Sequence, residues 1–115
     1  MNGGIEVAVP DGANGWYIGG SFTKVGTVTR NNIARILSDG SVSSWNPNIN
    51  NLVYAIAVNG SNVYVGGFFT AVNGGTIRNN LAAFDSTTGT ATAWNPNMGG
   101  PLAYVYALVI NGSNV

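Results

Sequence analysis

The chain has 115 residues, of which 45% are hydrophobic and only 7% are charged, and its four basic and four acidic residues cancel. A neutral chain lacks the charge that drives binding to phosphate backbones, so we expect no nucleic-acid partner. The absence of Cys and His excludes disulfides, zinc and iron–sulfur sites, Cys nucleophiles and Ser-His-Asp triads within one chain. The apolar content also argues against a disordered chain.

Membrane and export signals are also missing from the sequence. No apolar run reaches the roughly 18 residues of a membrane span, so we expect no membrane insertion. The start, MNGGIEVAVP, lacks the basic and apolar regions of a signal peptide. The 17 Gly and 17 Asn residues indicate many turns, because both types tolerate positive φ angles.

An internal repeat is the strongest signal in the sequence. The segment GGSFT at Gly19–Thr23 returns as GGFFT at Gly66–Thr70, and WNPN at Trp45–Asn48 returns at Trp94–Asn97. A third copy begins near the end, where YALVINGSNV at Tyr106–Val115 repeats an earlier YAIAVNGSNV. An offset of 47 to 52 residues, filled by short β-type segments, is typical of propeller blades rather than of helical solenoids.

Each repeat contains four predicted strands. Asn-Gly between two β-rich runs, as at Asn59-Gly60, is a strong hairpin signal. The predicted strands are Ile5–Val9, Trp16–Gly19, Asn32–Leu37 and Val42–Trp45, then Val53–Val58, Asn62–Gly66, Asn80–Phe84 and Thr90–Trp94, and finally Val105–Ile110. The inner strands alternate little, which predicts that both faces are buried between neighbouring blades. We therefore predict an all-β fold with one blade at 1–50, a second at 51–101, and the first strand and partial hairpin of a third at 102–115.

The order of the motifs resembles a known repeat. An apolar strand, an Asn-Gly or Asp-Gly turn, GG-x-FT, RNN-[IL]-A, D-[GS] and WNPN follow one another in both copies. This order resembles the bacterial delta-sixty type β-propeller repeat and, more distantly, kelch blades. The resemblance implies tandem four-stranded blades in large secreted or surface proteins, and hence an extracellular or cell-surface parent protein. Kelch-type copper enzymes carry ligating Tyr and His residues, and this chain has no His, so neither an enzymatic role nor a cofactor is implied.

Two blades are too few to complete a propeller, which closes with about four to eight. We expect their bare outer faces to be lined by Ile18, Ile56, Val65, Phe84 and Leu108. Large apolar patches are rare on soluble monomers. Either the chain is an excerpt of a longer protein, as its end within a hairpin at Val115 suggests, or several copies complete a ring. We predict a homo-oligomer of about two to four copies, in which Val105–Ile110 exchanges with Ile5–Val9 of a neighbour.

The recurring residues most simply serve the fold. They are Gly19, Gly20, Phe22, Arg30, Trp45 and Pro47 in the first copy and Gly66, Gly67, Phe69, Arg78, Trp94 and Pro96 in the second. The Trp pair could stack on a sugar ring, but its repeated position favours packing, and the Asn-Pro-Asn segments favour turns over a polar ligand site. For the first Arg of each copy, the favoured role is to donate hydrogen bonds to backbone carbonyls, and anion binding is the alternative. The Gly pairs favour close strand approach or a bulge.

The carboxylates form no recognisable metal or catalytic site. Asp11, Asp39 and Asp85 lie in separate turns, whereas Ca²⁺ needs about six to eight oxygens, several of them from one loop. Glu6 is the only other acid, and nothing places two carboxylates at the spacing that glycoside hydrolysis requires. Asn59-Gly60-Ser61 and its later copy Asn111-Gly112-Ser113 match the glycosylation pattern, but both are interpreted as hairpin turns. We predict no metal, no cofactor and no catalytic residue.

We expect a non-catalytic structural unit whose main activity is self-association. The alternative is a binding module for a glycan or a surface protein. That alternative predicts exposed aromatic side chains in the loops, whereas most aromatic residues lie in predicted strands. A hydrolase or lyase ranks last, because the chain lacks His and Cys and has few carboxylates.

Overall fold

The computed structural model of the chain describes residues 3–93, which form ten β-strands. The strands of the first repeat are β1 (Gly4–Pro10), β2 (Trp16–Ser21), β3 (Lys24–Val25), β4 (Val28–Thr29) and β5 (Ile33–Ile36). Those of the second are β6 (Val53–Asn59), β7 (Asn62–Gly67), β8 (Ala71–Val72), β9 (Thr76–Ile77) and β10 (Leu81–Asp85). The described range contains no helix that is long and apolar enough to cross a bilayer. The all-β prediction is confirmed.

The two repeats have the same topology. The first sheet has the strand order β1-β2-β5, and the second has the matching order β6-β7-β10, with every pair antiparallel. In chain order, a two-stranded ribbon follows the middle strand of each sheet and precedes the third. These ribbons are β3-β4 and β8-β9. These ribbons could not be predicted from the sequence, because strands of two residues are too short to show a periodic pattern.

The predicted fourth strands are almost absent. The segment Val42–Trp45 contributes a single bridge, from Val42 to Ile36, and the described part of Thr90–Trp94 contributes one from Ala91 to Phe84. The first segment continues into Trp45-Asn46-Pro47, where proline has no N–H to donate to a ladder. Trp94, Pro96, Leu108, the predicted strand Val105–Ile110 and its proposed exchange lie outside the described residues.

The two sheets pack against each other through one main core. It consists of Tyr17, Ile33, Trp45, Ile49, Val53, Ile56, Val63, Val65, Phe69, Val72, Ala82 and Phe84, edged by Val7, Val9, Val58 and Ala91. A smaller cluster on the far side of the first sheet contains Ile18, Phe22 and Ala34. Another, on the far side of the second sheet, contains Tyr54 and Leu81.

The expectation that Ile56, Val65 and Phe84 line a bare outer face is therefore wrong. Ile56, Val65 and Phe84 are buried between the two sheets rather than on an outer face. Ile18 does lie on an outer side, but it is buried with Phe22 and Ala34 beside the partly buried Val25 of the first ribbon. The error has a physical cause: strands that are apolar on both faces do not reveal which face meets which neighbour.

Candidate functional site

The pairing registers relate the two repeats residue by residue. Ile5 pairs with Gly20, as Val53 pairs with Gly67, and both sheets have a register shift at the next residue. Gly20 and Gly67 permit this irregularity, because a Cβ on either one would collide with the backbone of Gly4 or Leu52. The same bulge in both repeats makes Ile5 the structural counterpart of Val53.

Each sheet has two different faces, and the sheets use opposite ones where they meet. The first sheet contributes its trailing face, defined by Val7, Val9, Tyr17, Ile33 and Arg35. The second sheet contributes its leading face, defined by Val53, Ile56, Val63, Val65 and Phe84. Gly19 lies on the trailing face, where an added Cβ would collide with the Val53 side chain. The register then assigns Ile5, Ala8, Trp16, Ile18 and Ile36 to the leading face of the first sheet, and Ala55, Ala57, Tyr64, Leu81 and Ala83 to the trailing face of the second.

Trp45 joins the two sheets. Its side chain is only 2% exposed, and its indole N–H donates to the Asp85 carbonyl at 2.9 Å. The ring makes edge-on contacts with Tyr17, at 5.0 Å between centroids, and with Phe84, at 6.4 Å. Pro47, two residues further on, is also buried. The Trp45 ring is thus fully engaged in packing and is not available to stack on a sugar.

Arg30 and Arg78 make matching contacts in the two repeats. The NH1 group of each donates to the preceding carbonyl, of Thr29 or Ile77, and NH2 donates at 2.9 Å to a distant carbonyl, of Ser43 or Thr92. The Nε atom of each is buried and has no acceptor within residues 3–93. Each guanidinium therefore ties the end of a ribbon to the outer edge of its sheet, and its remaining Nε is shielded from a dissolved anion.

The second Asn of each RNN motif turns the backbone into the third strand of its sheet. Asn32 has a φ of 67° and Asn80 a φ of 70°, a left-handed conformation that Asn adopts more readily than most residues. Their backbone N–H groups donate to Phe22 and Phe69, the buried aromatic residues of the GG-x-FT motifs. Their carbonyls accept from Gly20 and Gly67 respectively. The RNN motif thus fixes the backbone at the start of the third strand against the GG-x-FT segment.

A charged cluster fixes the first hairpin, between β1 and β2. The buried Asp11 carboxylate accepts from the backbone N–H groups of Ala13 (2.7 Å) and Gly15 (2.8 Å), and from Arg35 Nε at 3.0 Å. Burial on its own raises the pKa of Asp11, but these donors and the Arg35 charge outweigh it, so the pKa lies below its usual value. The guanidinium also lies 5.3 Å from the centre of the Tyr17 ring, where burial raises the pKa of the hydroxyl.

The hairpin that this cluster holds presents an aromatic side chain to solvent. Trp16 is 48% exposed, and Ile5 on the same leading face is 47% exposed. Their counterparts in the second repeat, Val63 and Val53, are completely buried against the first sheet. The leading face of the first sheet is therefore the clearest candidate for an interaction surface.

A shallow cleft of about 450 Å³ adjoins this face. It is lined by Pro10, Gly12, Asn14, Gly15 and Trp16. Asn14, with a φ of 67°, and Gly12, with a φ of 81°, shape the longer turn that opens it. Trp16 was not predicted as a site residue, because its place at the start of an apolar strand is typical of a core residue.

The carboxylates of Asp39 and Asp85 also serve turns. Side-chain and backbone hydrogen bonds from Ser41 lower the pKa of Asp39, and backbone N–H groups of Thr88 and Thr87 lower that of Asp85. Asp11 is paired with Arg35. Within residues 3–93, no group of three or more acidic side chains could hold a metal ion.

Comparison with known proteins gives one match. The family model described as a domain of unknown function (DUF5122) beta-propeller covers residues 12–42, from the first hairpin to the bridge between Ile36 and Val42. No curated protein and no solved structure matches the chain significantly. The match supports a β-propeller repeat family without distinguishing the delta-sixty and kelch-like types. With the repeated antiparallel sheets, it identifies the building unit of this chain as a β-propeller blade.

Proposed function

We propose that the chain is a non-catalytic structural unit whose blades pack against the blades of further copies to complete a ring. The observation that supports this most directly is the exposure of Ile5 and Trp16, whose counterparts Val53 and Val63 are buried by a neighbouring sheet. A blade hides its apolar faces against its neighbours in a propeller, and a chain with so few charges has little to keep such faces apart.

The non-catalytic part of the proposal rests on how the polar groups are used. Asp11, Asp39 and Asp85 accept hydrogen bonds within their own turns, and Asp11 is also neutralised by Arg35. Trp45 and the two buried Phe residues of the GG-x-FT motifs serve packing. The carboxylates thus stabilise turns and the aromatic side chains pack in the cores, which are the roles that a structural unit requires.

The mass of the particle in solution tests this function. Light scattering coupled to size exclusion is expected to give a sharp integer multiple of 11.8 kDa, with a total blade count in the range of about four to eight. Because a closed ring has no free end, the mass is expected not to grow further as the concentration is raised through the micromolar range. A folded monomer of 11.8 kDa at all concentrations would contradict the proposal.

A binding module is the second candidate, favoured by the cleft beside Trp16. Half-exposed aromatic rings offer an apolar platform for a sugar face, and the Asn14 amide at the cleft provides donors and an acceptor. This function predicts saturable binding to members of a glycan panel, tested with and without Ca²⁺, that is lost in Trp16→Ala. Absence of saturable binding to the panel by the wild-type protein would remove this support.

A further inference from the structure

The hairpin between β1 and β2 differs from its counterpart in the second blade. Five residues, 11–15, form the first turn, whereas two residues, Gly60 and Ser61, form the second. The longer turn opens the cleft of about 450 Å³ beside Trp16, whose side chain is 48% exposed where its counterpart Val63 is completely buried. Among the described residues, the combination of a longer turn with an exposed Trp is thus a feature of the first blade alone.

Hydrogen bonds fix the shape of this turn from within. The Asp11 carboxylate accepts from the backbone N–H groups of Ala13 and Gly15, and the Asp11 N–H donates to the Gly15 carbonyl at 3.1 Å. A turn held by this many bonds has little conformational freedom left to lose when a ligand binds. A site that is already shaped in this way binds its ligand at a lower entropic cost.

The wall of the cleft offers one apolar platform, one free amide and no charge. Trp16 and the exposed Pro10 ring supply the apolar surface. The exposed Asn14 side chain has no hydrogen-bond partner within residues 3–93. No charged residue lines the cleft in that range, because the Asp11 carboxylate is only 1% exposed and is paired with Arg35.

We propose that this cleft binds one pyranose ring of an uncharged β-linked glucan. The proposal rests on the binding-module function described above and adds the class of sugar and the residues that recognise it. The hydroxyl groups of a β-linked glucose ring point outward around its edge, so C–H groups cover both faces. Either face can therefore stack on the Trp16 indole, while the Asn14 amide donates to, or accepts from, a hydroxyl at the edge of the ring.

The chemistry of the wall also argues against an anionic sugar. A carboxylate or sulfate would lose part of its hydration on entering the cleft, and the residues that line it provide no cation in return. Only one side-chain amide is available to fix the sugar, so most of the binding free energy must come from stacking on the Trp16 ring. We therefore expect weak binding, with a dissociation constant in about the millimolar range and one site per chain.

Titration with cellotetraose tests the proposal. The sugar is added to the ¹⁵N-labelled full chain, and the indole N–H resonance of Trp16 is followed by NMR after its assignment with Trp16→Phe. A saturable shift of this resonance is expected. The tetramer of β-linked glucuronic acid has the same ring geometry with an added carboxylate, and it should bind at least about fivefold more weakly because its charge finds no partner.

Three variants separate the site from the rest of the surface. Trp16→Ala should raise the dissociation constant at least about tenfold, because it removes the stacking platform. Asn14→Gly keeps the φ of 67° that glycine adopts readily and should raise it about threefold through the lost amide. Phe68→Ala removes another aromatic side chain, 37% exposed on the second blade, and is the matched control that should leave binding unchanged.

The outcomes distinguish this inference from the function on which it rests. Unchanged cellotetraose binding in Trp16→Ala, equal binding of the glucuronic acid tetramer, or no cellotetraose binding at all would overturn the assignment. Saturable binding of another panel glycan would in that case leave the binding-module function standing, whereas no saturable binding of any glycan would contradict that function too. Light scattering on each sample distinguishes a lost site from a changed state of assembly.

Discussion

The two blades share a topology, but their matching positions lie in different environments. Phe84 and Val63 of the second blade are completely buried, whereas their counterparts Ile36 and Trp16 in the first are only partly covered. The difference comes from position: the leading face of the second blade meets the first blade, whereas that of the first meets no further sheet within residues 3–93. At these positions burial is thus decided between blades, because a single blade covers only part of its own apolar face.

The largest change in unfolding free energy is expected from truncating one matched pair of residues. Phe84→Ala should lower the free energy of unfolding by about 3–5 kcal/mol, as expected for a fully buried Phe. Ile36→Ala should cost clearly less, since this side chain already contacts water. Urea denaturation followed by far-UV circular dichroism measures both values at a concentration where the state of assembly is known. Equal losses would show that the leading face of the first blade is as well covered as that of the second.

A second test concerns the turn of each ribbon, where Asn73 in the second blade corresponds to Gly26 in the first. Both have positive φ angles, 51° and 63°. The Asn73 amide donates to the carbonyls of Pro47 and Gly89 and accepts from the N–H of Ala91. Asn73→Gly removes these bonds without backbone strain and should cost about 1–3 kcal/mol of unfolding free energy in urea titrations.

The reverse substitution is its control. Gly26→Asn introduces an amide at the exposed turn of the first ribbon, where an added Cβ meets no atom within 4 Å. It should change the unfolding free energy by no more than about 0.5 kcal/mol. A comparable loss in both variants would mean that the backbone of the turn, rather than the Asn73 side chain, is responsible.

The smallest expected effect is on the pH dependence of stability, to which Asp11 contributes in the first blade only. The pKa of Asp11 is lowered in the folded chain, so its contribution to stability is complete above its unfolded value of about 4 and is lost as the pH falls through that region. Asp11→Asn should therefore lower the urea midpoint at neutral pH and reduce its further decline between about pH 6 and pH 3.

Part of the acid sensitivity should remain in that variant. The pKa values of Asp39 and Asp85 are also lowered, and both carboxyls are still present to be protonated. Because the Asp11–Arg35 pair has no counterpart in the second blade, the loss caused by Asp11→Asn belongs to the first hairpin. An unchanged midpoint at neutral pH would show that the turn holds its shape without this charge.

Much of the blade could be predicted from the sequence. The Asn-Gly turn and the repeated GG-x-FT and RNN motifs located the three inner strands of each sheet to within a residue or two, since turn chemistry is local. The same local patterns could not show that Val42–Trp45 forms only one bridge or that short ribbons follow each Gly pair. Both depend on contacts across the sheet, such as the bond from Arg30 to the Ser43 carbonyl.

The candidate site was beyond sequence reasoning for a related reason. Trp16 and Val63 occupy equivalent places in equally apolar strands, yet one is half exposed and the other buried. The all-β class, the repeat and the turns follow from the chain alone, because period, turn residues and composition are local properties. Which face of each sheet is covered depends instead on tertiary packing, because a strand that is apolar on both sides acquires its inside and outside from the neighbour that packs against it.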